Sequence, residues 1–351
     1  MRLPTAYPFS FLSPGSLLLR RASAALALAA GLAAPASAQM FKEPALQSLY
    51  QQVQVRQAKM ADLERLARER LAAQPGDAQA VLALALVAVD GNAEPARQDV
   101  ISRAETCTRQ QPQAAACHYA LGVVLGVQSM AEGMLKAARS AGTVKAALTQ
   151  AQTLDPGWYP ARSALVEFYL LAPGLMGGST ARAQELARSA PNPEQARVLQ
   201  ARVDLQEGRA AAVLQTMGTA LQTSDPELAG DAAQWGFAAA SRLINDGQAA
   251  QAQPFLERLT RERPASANGP YGLARVQAAA GAHAEALRLY DQAAKAADVS
   301  WLPLDYRRGI ALQELGRLDE ARAAYTRFVG AGKGHKASLE DARKRLQALG
   351  S

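Results

Sequence analysis

The sequence predicts an all-α fold, a solenoid of stacked antiparallel helix pairs. Three observations carry that expectation. Alanine fills 79 of the 351 positions, while aromatics make up 5%. Alanine has the highest intrinsic helix propensity, and β-branched runs are scarce. The chain repeats itself about every 34 residues. Glycine and proline recur at fixed places in that repeat, where helices must turn and stop.

Residues 1–38 stand apart from the repeats. They contain no acidic residue, the first being Glu43, and they carry Arg2, Arg20 and Arg21. An apolar stretch, ALALAAGLAA, is followed by the small-residue site Ala36-Ser37-Ala38. That is the layout of a secretory signal peptide, with cleavage expected after Ala38. A membrane anchor is the rival reading, but a span needs about 20 apolar residues and this stretch is shorter. Loss of the segment removes three arginines, so the formal charge falls from +7 to +4. Acidic and basic residues alternate along the rest. This is no nucleic-acid footprint, which needs lysine and arginine clustered on one face. No later stretch reaches membrane-spanning length, so no integral span is expected in the mature chain.

Residues 39–80 read as an N-terminal helical segment, with Pro75 marking the end of a helix. From 81 to 335 the repeats take over. YGLARVQAAAGAHAEALRLYDQA (residues 271–293) aligns with YRRGIALQELGRLDEARAAYTRF (residues 306–328). Gly281 matches Gly316, Ala286 matches Ala321 and Tyr290 matches Tyr325, each at an offset of 35. One step earlier lie Gly247, Ala252 and Pro264, with 34 residues from Gly247 to Gly281. Small residues recur at Ala88, Gly122, Ala201, Ala240, Ala274 and Gly309, and prolines at Pro112, Pro156, Pro226 and Pro264.

This pattern resembles the tetratricopeptide repeat (TPR) family over roughly residues 63–333, most clearly in the last three units. The resemblance implies about seven units, each an antiparallel pair of a first helix A and a second helix B. Small residues let A and B approach, glycine makes the turn, and proline ends B. It also implies a right-handed superhelix with a concave face lined by A helices.

Two units are longer than the pattern. Ten extra residues fall around 129–142, which should lengthen or add a helix. About five more fall at 171–180, LAPGLMGGST, between an A and a B helix. That loop reads first as backbone geometry and second as a binding loop, since glycine takes positive φ freely and proline stops helices. The last stretch, SLEDARKRLQALGS, reads as a charged C-terminal capping helix opened by Ser338.

Cys107 and Cys117 lie five residues either side of Pro112. If Pro112 marks a turn between antiparallel helices, the two thiols sit level. In an exported protein they would form a disulfide; the other reading is two buried free thiols packing as small apolar residues.

The resemblance places Tyr119, Glu167, Arg202 and Phe237 on the concave face, and with them Tyr271, Arg275, Tyr306 and Gln313. Tyrosine and arginine are common anchors of protein contacts; the other reading is that such aromatics fill the gap to the next helix and that Arg202 and Arg275 lie on a solvated face. Catalytic patterns are missing from the sequence. His118, His283 and His335 form no metal-ligand spacing, and Gly332-Lys333 is not followed by Ser or Thr as a phosphate loop requires. No catalytic residue, metal site or cofactor is therefore expected. The functional expectation is a non-enzymatic periplasmic or secreted scaffold holding a peptide or protein partner in the groove, with no nucleic acid. The alternative is an accessory subunit of an envelope assembly or export machine that uses the convex face or the insertions. A third, an enzyme acting on cell-wall polymer, rests only on Glu167 near the Pro-Gly loop.

Overall fold

The computed structural model describes residues 39–54, 58–91, 94–296, 302–332 and 334–350. The predicted signal segment, residues 1–38, lies outside them, as does Lys333. Among the described residues there are seventeen α-helices and no strand. None of these helices is long and apolar enough to cross a membrane.

The chain divides into two compact units. The first covers residues 39–207 with 223–230, the second 208–222 with 231–350. In the first, α1 (Pro44–Gln54) and α2 (Met60–Ala73) precede the pairs α3 (Ala78–Asp90) with α4 (Glu94–Gln110), α5 (Ala115–Ala131) with α6 (Met134–Leu154), and α7 (Tyr159–Leu171) with α8 (Thr180–Arg188). Helix α9 (Pro193–Gln206) follows. Each helix packs on its successor, and A helices also touch the next A helix, as α3 does α5 and α7 does α9.

The second unit contains α10 (Ala210–Ala220), most of α11 (Pro226–Asn245), and α12 (Ala249–Glu262). Then come α13 (Asn268–Ala279) with α14 (His283–Ala293), α15 (Leu304–Glu314) with α16 (Leu318–Ala331), and α17 (Lys336–Gly350). Helix α17 packs on α16 and adds Ala342, Leu346 and Leu349 to its apolar cluster. It begins two residues before the predicted Ser338 cap, so Ser338 lies in the first turn and does not cap the helix.

Local chemistry explains the boundaries. Gly247, Gly281 and Gly316, at the turns that follow α11, α13 and α15, all take left-handed conformations with φ of 77, 79 and 73°. A side chain there would collide with its own backbone, so glycine ends the A helix and reverses the chain. Gly208, in the stretch where the repeat is faintest, does the same at φ 90°. Asp77 caps α3 by accepting from the amides of Gln79 and Ala80, and Asn192 caps α9 through Glu194 and Gln195. Small residues sit where A and B touch. A Cβ on Gly122 would come within 2.6 Å of Leu148 Cδ2, and one on Gly309 within 2.5 Å of the Tyr325 ring.

The ten extra residues go into length. Helices α5 and α6 have 17 and 21 residues and are joined by the short Glu132-Gly133 turn, with no additional helix. The other insertion forms a tight loop around a 3-10 turn, Gly174–Met176. Its amides bond within the loop and back to α7: Met176 N donates to Pro173 O, Gly178 N to Pro173 O, and Ser179 N to Tyr169 O at 2.8 Å. Cys107, in the last turn of α4, is disulfide-bonded to Cys117, in the first turn of α5, with their Cα atoms 5.5 Å apart. His118 Nε2 lies 2.9 Å from the Pro112 carbonyl in the same turn.

Ahead of α1, residues 39–43 pack on the first unit as an irregular, bent segment. The indole N–H of Trp158, just before α7, donates to the carbonyl of Gln39 at 2.9 Å. Met40 and Phe41 are buried in the first unit's apolar core.

Candidate partner-binding surfaces

Six of the eight residues expected on the concave face are buried, and their side chains tie successive A helices together. Arg202 on α9, 1% exposed, reaches back to α7. It donates to Ser163 Oγ at 2.5 Å and to Glu167 Oε2 at 3.1 Å. In the second unit, Arg275 on α13 reaches back to α11, to Ser241 Oγ at 3.1 Å and Asn245 Oδ1 at 2.6 Å. The two ties share one design, an arginine bonded to a serine one repeat earlier. Ser241 precedes Arg275 by 34 residues; Ser163 precedes Arg202 by 39, because the loop insertion adds five. That Ser–Arg spacing is legible in the sequence once the insertion is subtracted.

The aromatics behave alike. The Tyr119 ring packs on Trp158 at 4.9 Å, and Tyr271 packs between Phe237 and Tyr290 at 6.3 and 5.7 Å. Tyr306 and Gln313, by contrast, are half-buried. Tyr306 donates to Asp341 Oδ2 on α17 at 2.9 Å, and Gln313 Oε1 accepts from Tyr325 and Arg345 at 3.0 and 3.2 Å. Burial pushes the Tyr325 hydroxyl up to about 12. Burial alone would also raise the Asp341 carboxyl, but hydrogen bonds from Arg345 and Tyr306 outweigh it and hold the group below the ordinary aspartate value.

Sequence reasoning missed Arg162. This buried side chain on α7 donates to the carbonyls of Leu186 and Pro156 and to Ser189 Oγ, at 2.8, 3.1 and 3.0 Å. It joins the end of α8 to the turn before α7, and burial draws its guanidinium below the ordinary arginine value. It was hidden because a single arginine on a helix reads as a solvated one.

The exposed surface has its own pattern. Among the described residues, the large exposed apolar side chains all fall at A–B connections. In the first unit Met130, Met134 and Leu135 flank the α5–α6 turn, and Leu171 and Leu175 belong to the α7–α8 loop. Leu175 is 88% exposed and Leu135 67%. These are the connections that carry the insertions. The loop lies on α6, with Gly177 so near Lys145 that a Cβ would sit 3.0 Å from its ammonium. Helix α6 itself holds Lys136, Arg139 and Lys145 and no acidic residue. In the second unit Leu315 and Leu318 flank the α15–α16 turn. No group of three or more His, Cys, Asp or Glu able to hold a metal ion occurs among the described residues.

No family model and no curated protein matches the sequence. Solved structures do match in shape. A monomeric mutant of IFIT1 with Gppp-AAAA has a TM-score of 0.55 at 11% identity, covering 87% of this chain and 70% of that one. The human IFIT1 dimer with m7Gppp-AAAA has a TM-score of 0.54 at 12% identity, covering 87% and 71%. A tetratricopeptide repeat protein from Parabacteroides merdae has a TM-score of 0.46 at 13% identity, covering 73% and 93%. At these identities the likeness is one of fold, an all-α solenoid of helix pairs.

Proposed function

We propose that this tetratricopeptide-like solenoid is a non-enzymatic scaffold that binds a protein partner outside the cytoplasm, through the edge formed by the A–B connections of its first unit. The observation that carries the reading is the gathering of exposed Met and Leu side chains at those connections. Scattered exposed apolar residues need no explanation, but a concentration of them marks an interaction site. In repeat proteins, insertions also tend to map to the binding face. Lys136, Arg139 and Lys145 of α6, the first of them paired with Glu132 at 3.5 Å, suit a partner with apolar anchors inside an acidic rim. This is the role of an accessory subunit in an envelope assembly. Export is supported by the signal-peptide layout of residues 1–38 and by the Cys107–Cys117 disulfide, a bond that persists in oxidising compartments.

Affinity capture from the native periplasm tests it. The unmodified chain should retain its partner, and a folded Met134→Ser/Leu135→Ser/Leu175→Ser variant should lose it. Equal capture by both would overturn the edge assignment.

The groove reading keeps one specific support, the irregular segment 39–43 held on the first unit by hydrogen bonds from Trp158 and to Gln79. A Tyr271→Ala/Arg275→Ala variant is a poor test of groove binding, because both side chains are buried ties whose loss acts on packing.

A further inference from the structure

The N-terminal segment is held in the manner of a bound peptide. The Gln39 carbonyl accepts from Trp158 Nε1 at 2.9 Å, and the Lys42 amide donates to Gln79 Oε1 at 2.8 Å. The Lys42 ammonium lies 2.6 Å from Asp155 Oδ2. Between these polar anchors Met40 and Phe41 are 3% and 0% exposed. The receiving groups come from separate helix pairs: Gln79 from the first turn of α3, Asp155 and Trp158 from the turn between α6 and α7. Tyr119 on α5 backs the Trp158 ring.

These are components of peptide recognition: side chains that bond the segment's main chain, burial of two adjacent apolar anchors, and one charge pair. Helix α1 completes the site: the Phe41 amide donates to Gln47 Oε1 at 2.8 Å, and the Phe41 ring packs edge-on to Tyr50 at 5.4 Å. We propose that the surface made by Gln47, Tyr50, Gln79, Asp155 and Trp158 is a recognition site for a peptide with two adjacent bulky apolar residues followed by a lysine, occupied in cis by residues 39–43. A tethered segment competes at an effective concentration of about millimolar, so an outside peptide meets a site already filled. The expected cleavage after Ala38 leaves Gln39, the outermost contact, as the first residue. This site is independent of the A–B edge and goes beyond the reading above.

The probe is a labelled synthetic peptide, Gln-Met-Phe-Lys-Glu, followed by fluorescence anisotropy against the mature chain. A Met40→Ser/Phe41→Ser variant weakens the cis occupant and leaves the receiving groups in place. It should bind the probe at least about tenfold more tightly than the unmodified chain, and a lysine-to-glutamate probe should bind weakly. Should that variant fail to fold, a protease site inserted between Glu43 and Pro44 allows the folded chain to be nicked. The nicked chain should exchange its own segment for the probe, and the uncut chain should not. No binding by the folded variant, or no exchange by the nicked chain, overturns the proposal. Capture through the A–B edge would be unaffected by that failure, and the Met134/Leu135/Leu175 variant should bind the probe as the unmodified chain does.

Discussion

The Arg202 guanidinium meets the Glu167 carboxylate at 3.1 Å across α9 and α7, with the arginine side chain only 1% accessible. Removing one partner of a buried ion pair leaves the other charge desolvated, which costs about 3–5 kcal/mol. Arg202→Ala should therefore lower the urea midpoint sharply. Arg202→Met/Glu167→Leu, which removes both charges and keeps the volume, should recover most of the loss. A double variant as unstable as the single one would show that the ties to Ser163 matter more than the charge pair.

The Cys107–Cys117 bond closes a ten-residue separation. On the chain-entropy account such a short loop contributes about 2–3 kcal/mol. Cys107→Ala/Cys117→Ala should lose about that much, and reductant should lower the melting temperature of the unmodified chain alone. An equal response of both to reductant would exclude the bond as the cause.

Two glycines should respond oppositely to alanine. A Cβ on Gly178 would fall 1.7 Å from the Ala172 carbonyl oxygen, so Gly178→Ala must break the α7–α8 loop, at about 2 kcal/mol or more. Gly142 lies within α6 with nothing within 4 Å of its Cβ position. Gly142→Ala should stabilise by about 0.5–1 kcal/mol through helix propensity. Thermal melts of the two variants check both signs.

Asp341 gives a pH dependence. Its carboxyl is held below the ordinary value of 3.8, so it contributes stability above that value and loses it as pH falls through the folded value. The urea-midpoint gap between the unmodified chain and Asp341→Asn should be widest near neutral pH and narrow as pH falls through and below the ordinary aspartate value of 3.8. A gap that stays constant over that fall in pH would exclude the carboxylate as its source.

The repeat architecture was largely readable in advance because turns leave strong local marks. Gly247, Gly281 and Gly316 announce the A–B turns, and Pro112 and Pro156 the ends of B helices. What could not be read was which way long side chains point. In the resembled pattern, positions such as those of Arg202 and Arg275 face a groove. Here the neighbouring core is rich in alanine, including Ala164, Ala201, Ala240 and Ala274, all buried. Such small residues leave space between A helices, and arginine and tyrosine turn inward to fill it. The segment at residues 39–43 was invisible for another reason. Its contact with Trp158 spans 119 residues, and nothing periodic announces it.

The longer α5–α6 hairpin and the α7–α8 loop have a modular consequence. Both additions lie where one helix of a pair hands over to the other, and neither touches the connection from one pair to the next. The stacking step is thereby insulated from growth. New sequence can accumulate at these handovers while the rise from pair to pair stays the same, so recognition can diversify along one rim without redesign of the solenoid beneath it.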